Sequence, residues 1–328
     1  MPAIVRSGGV FPQGWRDPAA IRDQGQAMAK TLFIDSTPDI DRLWRRVHRP
    51  EDPAVAVKFG PIAEADIAVR LGGYDTCIVD ATYFTQATLE RCHGLKHIVF
   101  LGTGAGSFID LGAAERLGIK VSTIKGYGDT AVAEHAMGLV FAAARNIATM
   151  HKILREGGWQ VMGGMELKGK TLGLIGLGGI GREMARLAKG IGLRTVAFNR
   201  SPVRDAPAPM VPIDELLASS DLVSLHLALN EGTREFLNRE RLGKLKPGAI
   251  LVNTARAGLV DEVALAELLG SGHIGHYATD VYSQEPPRPE EPLRTLARVT
   301  LTAHAGYNTP EAAMAMYRRA IDLVAGGW

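Results

Sequence analysis

A glycine-rich turn between a short apolar run and a helical stretch constrains this chain more than any other feature of its sequence. The apolar run covers Thr171–Ile175, the turn reads Gly176-Leu-Gly178-Gly-Ile-Gly181, and the helical stretch covers Arg182–Lys189. Glycines at this spacing, between a strand and a helix, are typical of dinucleotide-binding α/β domains. The alternative is that they serve an ordinary tight turn, and the flanking strand and helix argue against it.

Each glycine of this turn has a distinct predicted task. Gly176 permits the tight turn, Gly178 lets the backbone approach a pyrophosphate, and Gly181 lets the helix pack closely on the strand. The helix N-terminus faces the negative charge of the phosphates, so Gly179 and Ile180 are included in the predicted site. These five residues are therefore our candidates for holding a dinucleotide.

Short apolar runs alternate with helical stretches along the chain, which is the pattern of parallel α/β sheets. The first series comprises strands 31–34, 54–59, 77–79 and 98–101, an apolar run ending at 121, and helices 37–48 and 111–117. The second comprises strands 171–175, 194–198, 222–225, 250–253, 276–280 and 299–302. Six strands are what a doubly wound nucleotide-binding domain needs. A last helix over 310–324 has no sheet of its own to cover and is expected to return to the first domain.

These patterns predict an α/β protein of two domains. A doubly wound parallel sheet (Rossmann) domain over residues 122–305 is inserted into a smaller substrate domain made of residues 1–121 and 306–328. We expect the ligand in the cleft between the two domains. Residues 1–30 read as an extension that the sequence does not explain, and they lack the apolar run of a secretory signal.

One long helix is predicted from Asp129 to about Glu156. From Ala131 to Ala144 it is almost wholly small or apolar, which predicts burial nearly all round. This is more apolar surface than one domain needs, so we expect a homodimer that forms through the helix starting near Ala131. His135 on this helix is interpreted as a structural residue.

Composition and charge exclude several classes of function. The chain has 328 residues, and its 37 basic and 35 acidic side chains are interspersed, so no long-range field indicates nucleic acid or an anionic membrane. The longest apolar stretch, 136–144, is far too short to cross a bilayer, and we expect a cytoplasmic protein. The two cysteines lack the spacing of metal ligands, and the pair His273 and His276 has no obvious third ligand, so no metal is predicted.

The end of the second predicted strand of the nucleotide domain departs from the usual pattern. That position is normally Asp or Glu, which binds the ribose hydroxyls and repels a 2′-phosphate. Here the chain has Asn199-Arg200-Ser201, which carries no repelling charge and offers a guanidinium and a hydroxyl to a phosphate. We therefore expect NADP(H) to be accepted in addition to NAD(H), and to be preferred. The alternative is that Arg200 is a solvated loop residue.

Three chemically suitable side chains follow the last predicted strands. Arg256 comes after the fourth strand of the nucleotide domain, Glu285 after the fifth and His304 after the sixth. Ligands of open α/β sheets bind at these carboxyl ends. An Arg can hold a carboxylate and a carbonyl oxygen together, and a His can handle a proton near neutral pH. The set suits hydride transfer between a nicotinamide and a 2-keto or 2-hydroxy acid, and surface or core roles are the alternatives for each residue taken singly.

At these residues the sequence resembles the D-isomer-specific 2-hydroxyacid dehydrogenases, a family that includes phosphoglycerate, glycerate/glyoxylate and D-lactate dehydrogenases. The resemblance covers nearly the whole chain. Besides the glycine turn and the Glu285 and His304 segments, it includes Gly102-Thr-Gly-Ala-Gly106, Ala131-Val-Ala-Glu-His-Ala136 and Asn253-Thr-Ala-Arg-Ala-Gly-Leu-Val-Asp261. It implies an NAD(P)-dependent oxidoreductase with a flavodoxin-like substrate domain.

The resemblance also implies roles for individual residues. Arg256 would bind the substrate carboxylate and polarise its carbonyl, His304 would donate or remove the proton, and Glu285 would attract the protonated imidazole. Asp280 would contact the nicotinamide carboxamide, while Thr254, Ala255 and His304 would lie beside the cofactor. Backbone amides of the substrate domain would line the carboxylate site. They belong to Ala81, Thr82 and Tyr83 and to Gly102, Thr103 and Gly104.

Two departures from the family pattern leave every reacting group in place. The chain has His226-Leu-Ala-Leu-Asn230 where the family often has His-x-Pro-Leu-Thr, and Thr302-Ala-His304 where Thr-Pro-His is common. His226 is interpreted as a packing residue. A cofactor-sensing corepressor and a phosphite or formate dehydrogenase of the same fold are alternative functions, although formate dehydrogenases have Gln where Glu285 stands. Phosphoglycerate, glycerate, glyoxylate and hydroxypyruvate all remain open as substrates.

Overall fold

The computed structural model describes residues 30–327, which fall into two compact units. The larger unit is Gly128–Thr309, and the smaller unit consists of residues 30–127 and 310–327. The expected bounds of the inserted domain were 122 and 305. The extension expected at the N-terminus lies, except for Lys30, outside the described residues.

The smaller unit is built on a parallel sheet of five strands in the order β2-β1-β3-β4-β5. This is the flavodoxin-like strand order. The strands are β1 (Thr31–Ser36), β2 (Val55–Phe59), β3 (Thr76–Val79), β4 (His97–Phe100) and β5 (Lys120–Thr123). The helices are α1 (Pro38–Val47), α2 (Ile67–Arg70), α3 (Gln86–Arg91), α4 (Leu111–Arg116) and α11 (Pro310–Ala325).

The last helix of the chain completes the core of the smaller unit. Trp44 of α1 is buried, with its ring 5.4 Å from that of Phe33 on β1 and 6.0 Å from that of Tyr317 on α11. The Arg318 guanidinium forms bonds of 2.6 and 2.8 Å with the carboxylate of Asp52, and this hydrogen bonding lowers the pKa of Asp52 to about 2. Helix α11 therefore packs on α1 in the unit that contains the start of the described chain.

The larger unit has six parallel strands in the order β11-β10-β9-β8-β6-β7. The strands are β6 (Thr171–Ile175), β7 (Arg194–Phe198), β8 (Leu222–Leu225), β9 (Ala249–Asn253), β10 (Ile274–Thr279) and β11 (Val299–Leu301). The helices are α5 (Asp129–Ala144), α6 (Ile147–Arg155), α7 (Gly179–Gly190), α8 (Ile213–Ser219), α9 (Arg239–Gly243) and α10 (Glu262–Ser271). The chain runs outward from β6 to β7 and then returns to β8 on the other side of β6. The doubly wound sheet expected from the sequence is confirmed, with its switch point between β6 and β8.

The long helix predicted from Asp129 to Glu156 is two helices. It breaks between α5 and α6 at Asn146, whose φ of 52° is left-handed. Asn tolerates this conformation better than most residues, and its side-chain amide donates a 2.7 Å bond to the carbonyl of Gly163. The prediction that this helix is buried nearly all round is also wrong for the single chain, because Glu134, Gly138 and Phe141 form an exposed stripe on α5.

No helix among residues 30–327 is long and apolar enough to span a bilayer.

Candidate functional site

The glycine turn of the larger unit is sterically demanding at three of its four glycines. Gly176 has a φ of 102°, and a Cβ there would lie 2.6 Å from the carbonyl oxygen of His226. A Cβ at Gly181 would collide with the carbonyl oxygen of Gly176, and one at Gly179 would collide with the carboxylate of Asp129. Larger residues at these positions would push the turn away from His226, or would separate α7 from the turn and from Asp129.

Open space lies only at the middle of the turn. A Cβ at Gly178 would have no heavy atom within 4 Å, and Gly178 is the residue from which α7 begins. The amides of the first turn of α7, which contains Gly179 and Ile180, carry the positive end of the helix dipole. The turn therefore offers uncovered backbone and a helix N-terminus, which suits a pyrophosphate.

At the end of β7, Asn199 links the glycine turn to the loop that follows. Its side-chain oxygen accepts a 3.3 Å bond from the amide of Leu177, and its amide group donates a 2.8 Å bond to the carbonyl of Ser201. Arg200 and Ser201 are exposed. The guanidinium of Arg182 on α7 donates to the carbonyls of Arg204 and Asp205 at 2.7 and 3.0 Å, so it attaches the loop to α7.

Two polar side chains that directly follow β8 and β9 have buried atoms without a hydrogen-bond partner among the described residues. They are His226, through both ring nitrogens, and Thr254, through Oγ1. Because Leu225 pairs with Asn253, the two residues follow at the next register position of neighbouring strands, and the carbonyl of His226 lies against Gly176 of the glycine turn. Burial lowers the pKa of His226 to about 4, so the ring is neutral and has one N–H to donate.

Unpartnered buried polar atoms of this kind fit the polar groups of a bound dinucleotide better than an empty site. Thr254 was among the residues predicted from the sequence, whereas His226 was interpreted as packing. The signal that could have found it was its position directly after a buried strand next to the glycine turn. The residues present therefore fit a bound dinucleotide.

Arg256 lies in a loop that the buried side chain of Asn253 holds. Asn253 accepts a 3.0 Å bond from the amide of Ala255 and donates a 2.9 Å bond to the carbonyl of Arg256. The Arg256 side chain is exposed, and its Nη1 donates to the carbonyl of Ala255 at 2.6 Å. Most of the guanidinium donors therefore remain available to a ligand.

Glu285 and His304 form a direct pair. The Glu285 Oε2 atom lies 2.5 Å from His304 Nδ1, and both side chains are partly buried, with 25% and 32% of their surface exposed. The other oxygen of Glu285 accepts a 3.0 Å bond from the amide of Tyr282. Burial would raise the pKa of Glu285, but the bonds from His304 and Tyr282 and the charges of His304 and Arg256 outweigh it and lower the pKa. Glu285 is therefore a carboxylate at neutral pH.

Asp280, the predicted nicotinamide contact, is occupied by protein donors. Its oxygens accept a 2.6 Å bond from Thr302 Oγ1 and bonds of 2.9 and 2.8 Å from the amides of Ala305 and Gly306. Burial would raise its pKa, but bonds from His135, Thr302 and these amides lower it to about 2. Asp280 therefore anchors the loop that carries His304, and any cofactor contact would share these oxygens.

In the smaller unit, a carboxylate already occupies part of the predicted substrate site. Asp35 accepts bonds of 2.9 Å from the amides of both Ala81 and Thr82 and 2.7 Å from the Thr82 hydroxyl. It also accepts a 3.0 Å bond from the amide of Asp80. The amides of Ala81 and Thr82 are thus used within the unit, and Tyr83 packs its half-exposed ring on Phe108 at 5.0 Å.

The loop after the neighbouring strand β4 is more open. Gly102 has a φ of 153° and donates its amide to the carbonyl of Phe100. Thr103 is exposed, and a Cβ at Gly104 would have no heavy atom within 4 Å. The structure therefore brings the Arg256, Glu285 and His304 loops to one edge of the larger sheet, and the two amide loops to one edge of the smaller sheet.

No group of three or more His, Cys, Asp or Glu side chains within residues 30–327 is arranged to hold a metal ion.

Comparison with known proteins gives a consistent picture. Residues 137–306 match the family model for "D-isomer specific 2-hydroxyacid dehydrogenase, NAD binding domain". The chain is 41% identical to the hydroxypyruvate reductase of Thermotoga maritima over 268 residues, which is 80% of this chain and 84% of that protein.

Solved structures are similar over most of the chain. The apo-structure of D-lactate dehydrogenase from Escherichia coli is 29% identical, with a TM-score of 0.79 and coverage of 90% of this chain and 96% of that one. An acyclic imino acid reductase in complex with NADPH and D-Arg is 28% identical, with a TM-score of 0.74 and coverage of 88% and 94%.

Proposed function

Because this chain belongs to the D-isomer specific 2-hydroxyacid dehydrogenases, and is therefore an NAD-linked oxidoreductase of 2-hydroxy acids, we propose that Arg256, Glu285 and His304 carry out its reaction. The resemblance seen in the sequence is confirmed at the level of the family. The observation that carries the proposed roles is the 2.5 Å contact between His304 Nδ1 and Glu285, at the carboxyl edge of a sheet with an open glycine turn. A carboxylate, an imidazole and a guanidinium on three loops suit hydride transfer coupled to proton transfer.

The role of each side chain follows from the atoms that its bonds within the protein leave available. When bound, the nicotinamide exchanges a hydride with the carbonyl or carbinol carbon of the substrate. His304 uses Nδ1 for Glu285, which leaves Nε2 to give a proton to the carbonyl oxygen or to take it from the hydroxyl. The negative charge of Glu285 stabilises the protonated ring. The guanidinium of Arg256 holds the carboxylate and polarises the carbonyl.

We propose a small 2-keto acid of the hydroxypyruvate or glyoxylate type as substrate. The similarity to a hydroxypyruvate reductase over more than four-fifths of that protein's length supports this choice. The test is reduction of a panel of 2-keto acids, including phosphohydroxypyruvate, by wild type and His304→Ala. We expect His304→Ala to lower kcat at least about a hundredfold, the scale of a general acid. A loss below threefold would remove His304 from this role.

We further propose that NADP(H) is preferred over NAD(H). Asn199 has no charge to repel a 2′-phosphate, and Arg200 and Ser201 are exposed beside it. A similar structure, the acyclic imino acid reductase, is a complex with NADPH. The test is kcat/KM with each cofactor for wild type and Arg200→Ala, with the exposed Arg194→Ala as control. A value at least tenfold better with NADH in the wild type would contradict the proposal.

A homodimer is the third part of the proposal. Helices α5 and α6 and the segment after them expose large apolar side chains: Phe141, Ile147, Leu154, Trp159 and Val161. Trp159 and Val161 are more than four-fifths exposed, which is unusual for a monomer. Light scattering of the purified chain should give twice the monomer mass, and Trp159→Glu should weaken the dimer. A monomeric wild type would contradict it.

A further inference from the structure

A chain of hydrogen bonds joins helix α5 to the loop that carries His304. His135 Nε2 lies 2.9 Å from Thr302 Oγ1, and Thr302 Oγ1 lies 2.6 Å from Asp280 Oδ1. The Asp280 carboxylate then accepts the amides of Ala305 and Gly306, the two residues directly after His304. This series of hydrogen bonds therefore ends on both backbone amides that follow the proposed proton-transfer residue.

The direction of each bond follows from the available protons. The Thr302 hydroxyl has a single proton, and the carboxylate at 2.6 Å is a far better acceptor than the carbonyl of Thr279 at 3.5 Å. The Thr302 oxygen must then accept from His135, so Nε2 of His135 carries a proton. The same N–H lies 3.4 Å from Asp280 Oδ1. His135 is thus the outer donor of a series that ends on a buried carboxylate.

His135 also touches the loop by packing. A Cβ added to Gly306 would lie 3.5 Å from Cδ2 and 3.6 Å from Cβ of His135, so the imidazole lies directly behind the loop backbone. His304 itself has a φ of 50°, a left-handed conformation that costs on the order of 1 kcal/mol or more for a non-glycine residue. Such a conformation persists only when the surrounding structure holds it in place.

We propose that His135 and Thr302 are positioning residues for His304. They hold the Asp280 carboxylate, and through it the loop, so that the imidazole of His304 keeps its left-handed backbone and its contact with Glu285. The inference rests on the proposed function, because it presumes that His304 transfers the proton. Neither residue needs to touch substrate.

The test compares Thr302→Val, which keeps the shape and removes the hydroxyl, with Thr302→Ser, which keeps the hydroxyl. We expect Thr302→Val to lower kcat by about tenfold, because a small displacement of a catalytic group is costly. The KM for NAD(P)H should change less than twofold. Thr302→Ser should recover at least half of the wild-type kcat. His135→Leu should also lower kcat. Adding it to Thr302→Val should lower kcat no further, since both residues act through the same series of hydrogen bonds.

The chain offers a matched control in a second His and Thr pair. His276 Nε2 lies 2.9 Å from Thr300 Oγ1, between β10 and β11, and both side chains are buried. Among residues 30–327, neither side chain of this pair forms a hydrogen bond with the His304 loop. Thr300→Val should therefore lower the melting temperature while kcat stays within twofold of wild type.

The outcomes separate this inference from the proposed function. Full activity in His304→Ala would overturn the role of His304 itself. Loss of activity in His304→Ala together with a folded, fully active Thr302→Val would overturn the positioning role alone. If Thr302→Val does not fold, His135→Leu and Thr302→Ser decide: an unchanged kcat in folded His135→Leu would sink the inference. Equal losses of kcat in Thr302→Val and Thr300→Val would show general destabilisation instead and would also overturn it.

Discussion

Replacing Asp280 by Asn should destabilise the larger unit and remove part of its dependence on pH. The carboxylate accepts bonds from Thr302, Ala305 and Gly306, and its pKa is lowered from 3.8 to about 2. Because Asp280 is only 2% exposed, solvent screening is small. The shift in pKa corresponds to about 2.5 kcal/mol of folding free energy at neutral pH. In the Asn variant, one face of the amide would present N–H groups to donors that need an acceptor.

The sign of the pH effect follows from the direction of the shift. A folded pKa below the unfolded one adds stability that is complete above about pH 4 and is lost as the pH falls through 2. At pH 3 about half of the contribution, roughly 1.3 kcal/mol, should remain. The wild type should therefore lose about half of its advantage over Asp280→Asn as the solution is acidified from pH 5 to pH 3.

The assay is urea-induced unfolding followed by circular dichroism, with wild type and variant measured at each pH. Asp214→Asn is the control, because Asp214 pairs with Lys244 on the surface and its side chain is 61% exposed. Such exposed pairs contribute about 0 to 1 kcal/mol. A difference below about 0.5 kcal/mol between wild type and Asp280→Asn at pH 7 would refute the reasoning, since the buried bonds would then contribute nothing net.

Three further predictions test other parts of the site. Gly181→Ala should weaken NAD(P)H binding at least tenfold because its Cβ would collide with the Gly176 carbonyl, whereas Gly190→Ala in the same helix, with open space around it, should bind normally. An equal Kd for the two variants in isothermal titration would contradict this. Tyr282→Phe should cost about 1 to 3 kcal/mol of stability and lower kcat, because the phenol, with its pKa raised to about 12 by burial, donates a 2.7 Å bond to the Thr302 carbonyl; unchanged denaturation would argue against it. Asp35→Ala should raise the KM for the keto acid more than the KM for NAD(P)H by freeing the loop of Ala81 and Thr82, and Asp39→Ala, an exposed residue of the same unit, should change neither.

Much of the fold was predictable because the signals are local. The bounds of β6, β7 and β8 match those predicted from short apolar runs between turn residues, since a buried strand must be apolar along its length. The glycine turn was equally readable, because its steric limits fall on residues only a few positions apart. Arg256, Glu285 and His304 could be nominated because each follows a predicted strand, and parallel strands end at one edge.

Tertiary structure alone decided how those residues are supported and which polar groups are already in use. The break at Asn146 depends on a carbonyl 17 residues away, and the hold of Asp35 on Thr82 spans 47 residues. The bond between His135 and Thr302 spans 167 residues, so no local pattern could indicate it. Periodicity in the sequence reports which face of an element is buried, whereas a hydrogen bond depends on which distant side chain the folded chain brings within about 3 Å.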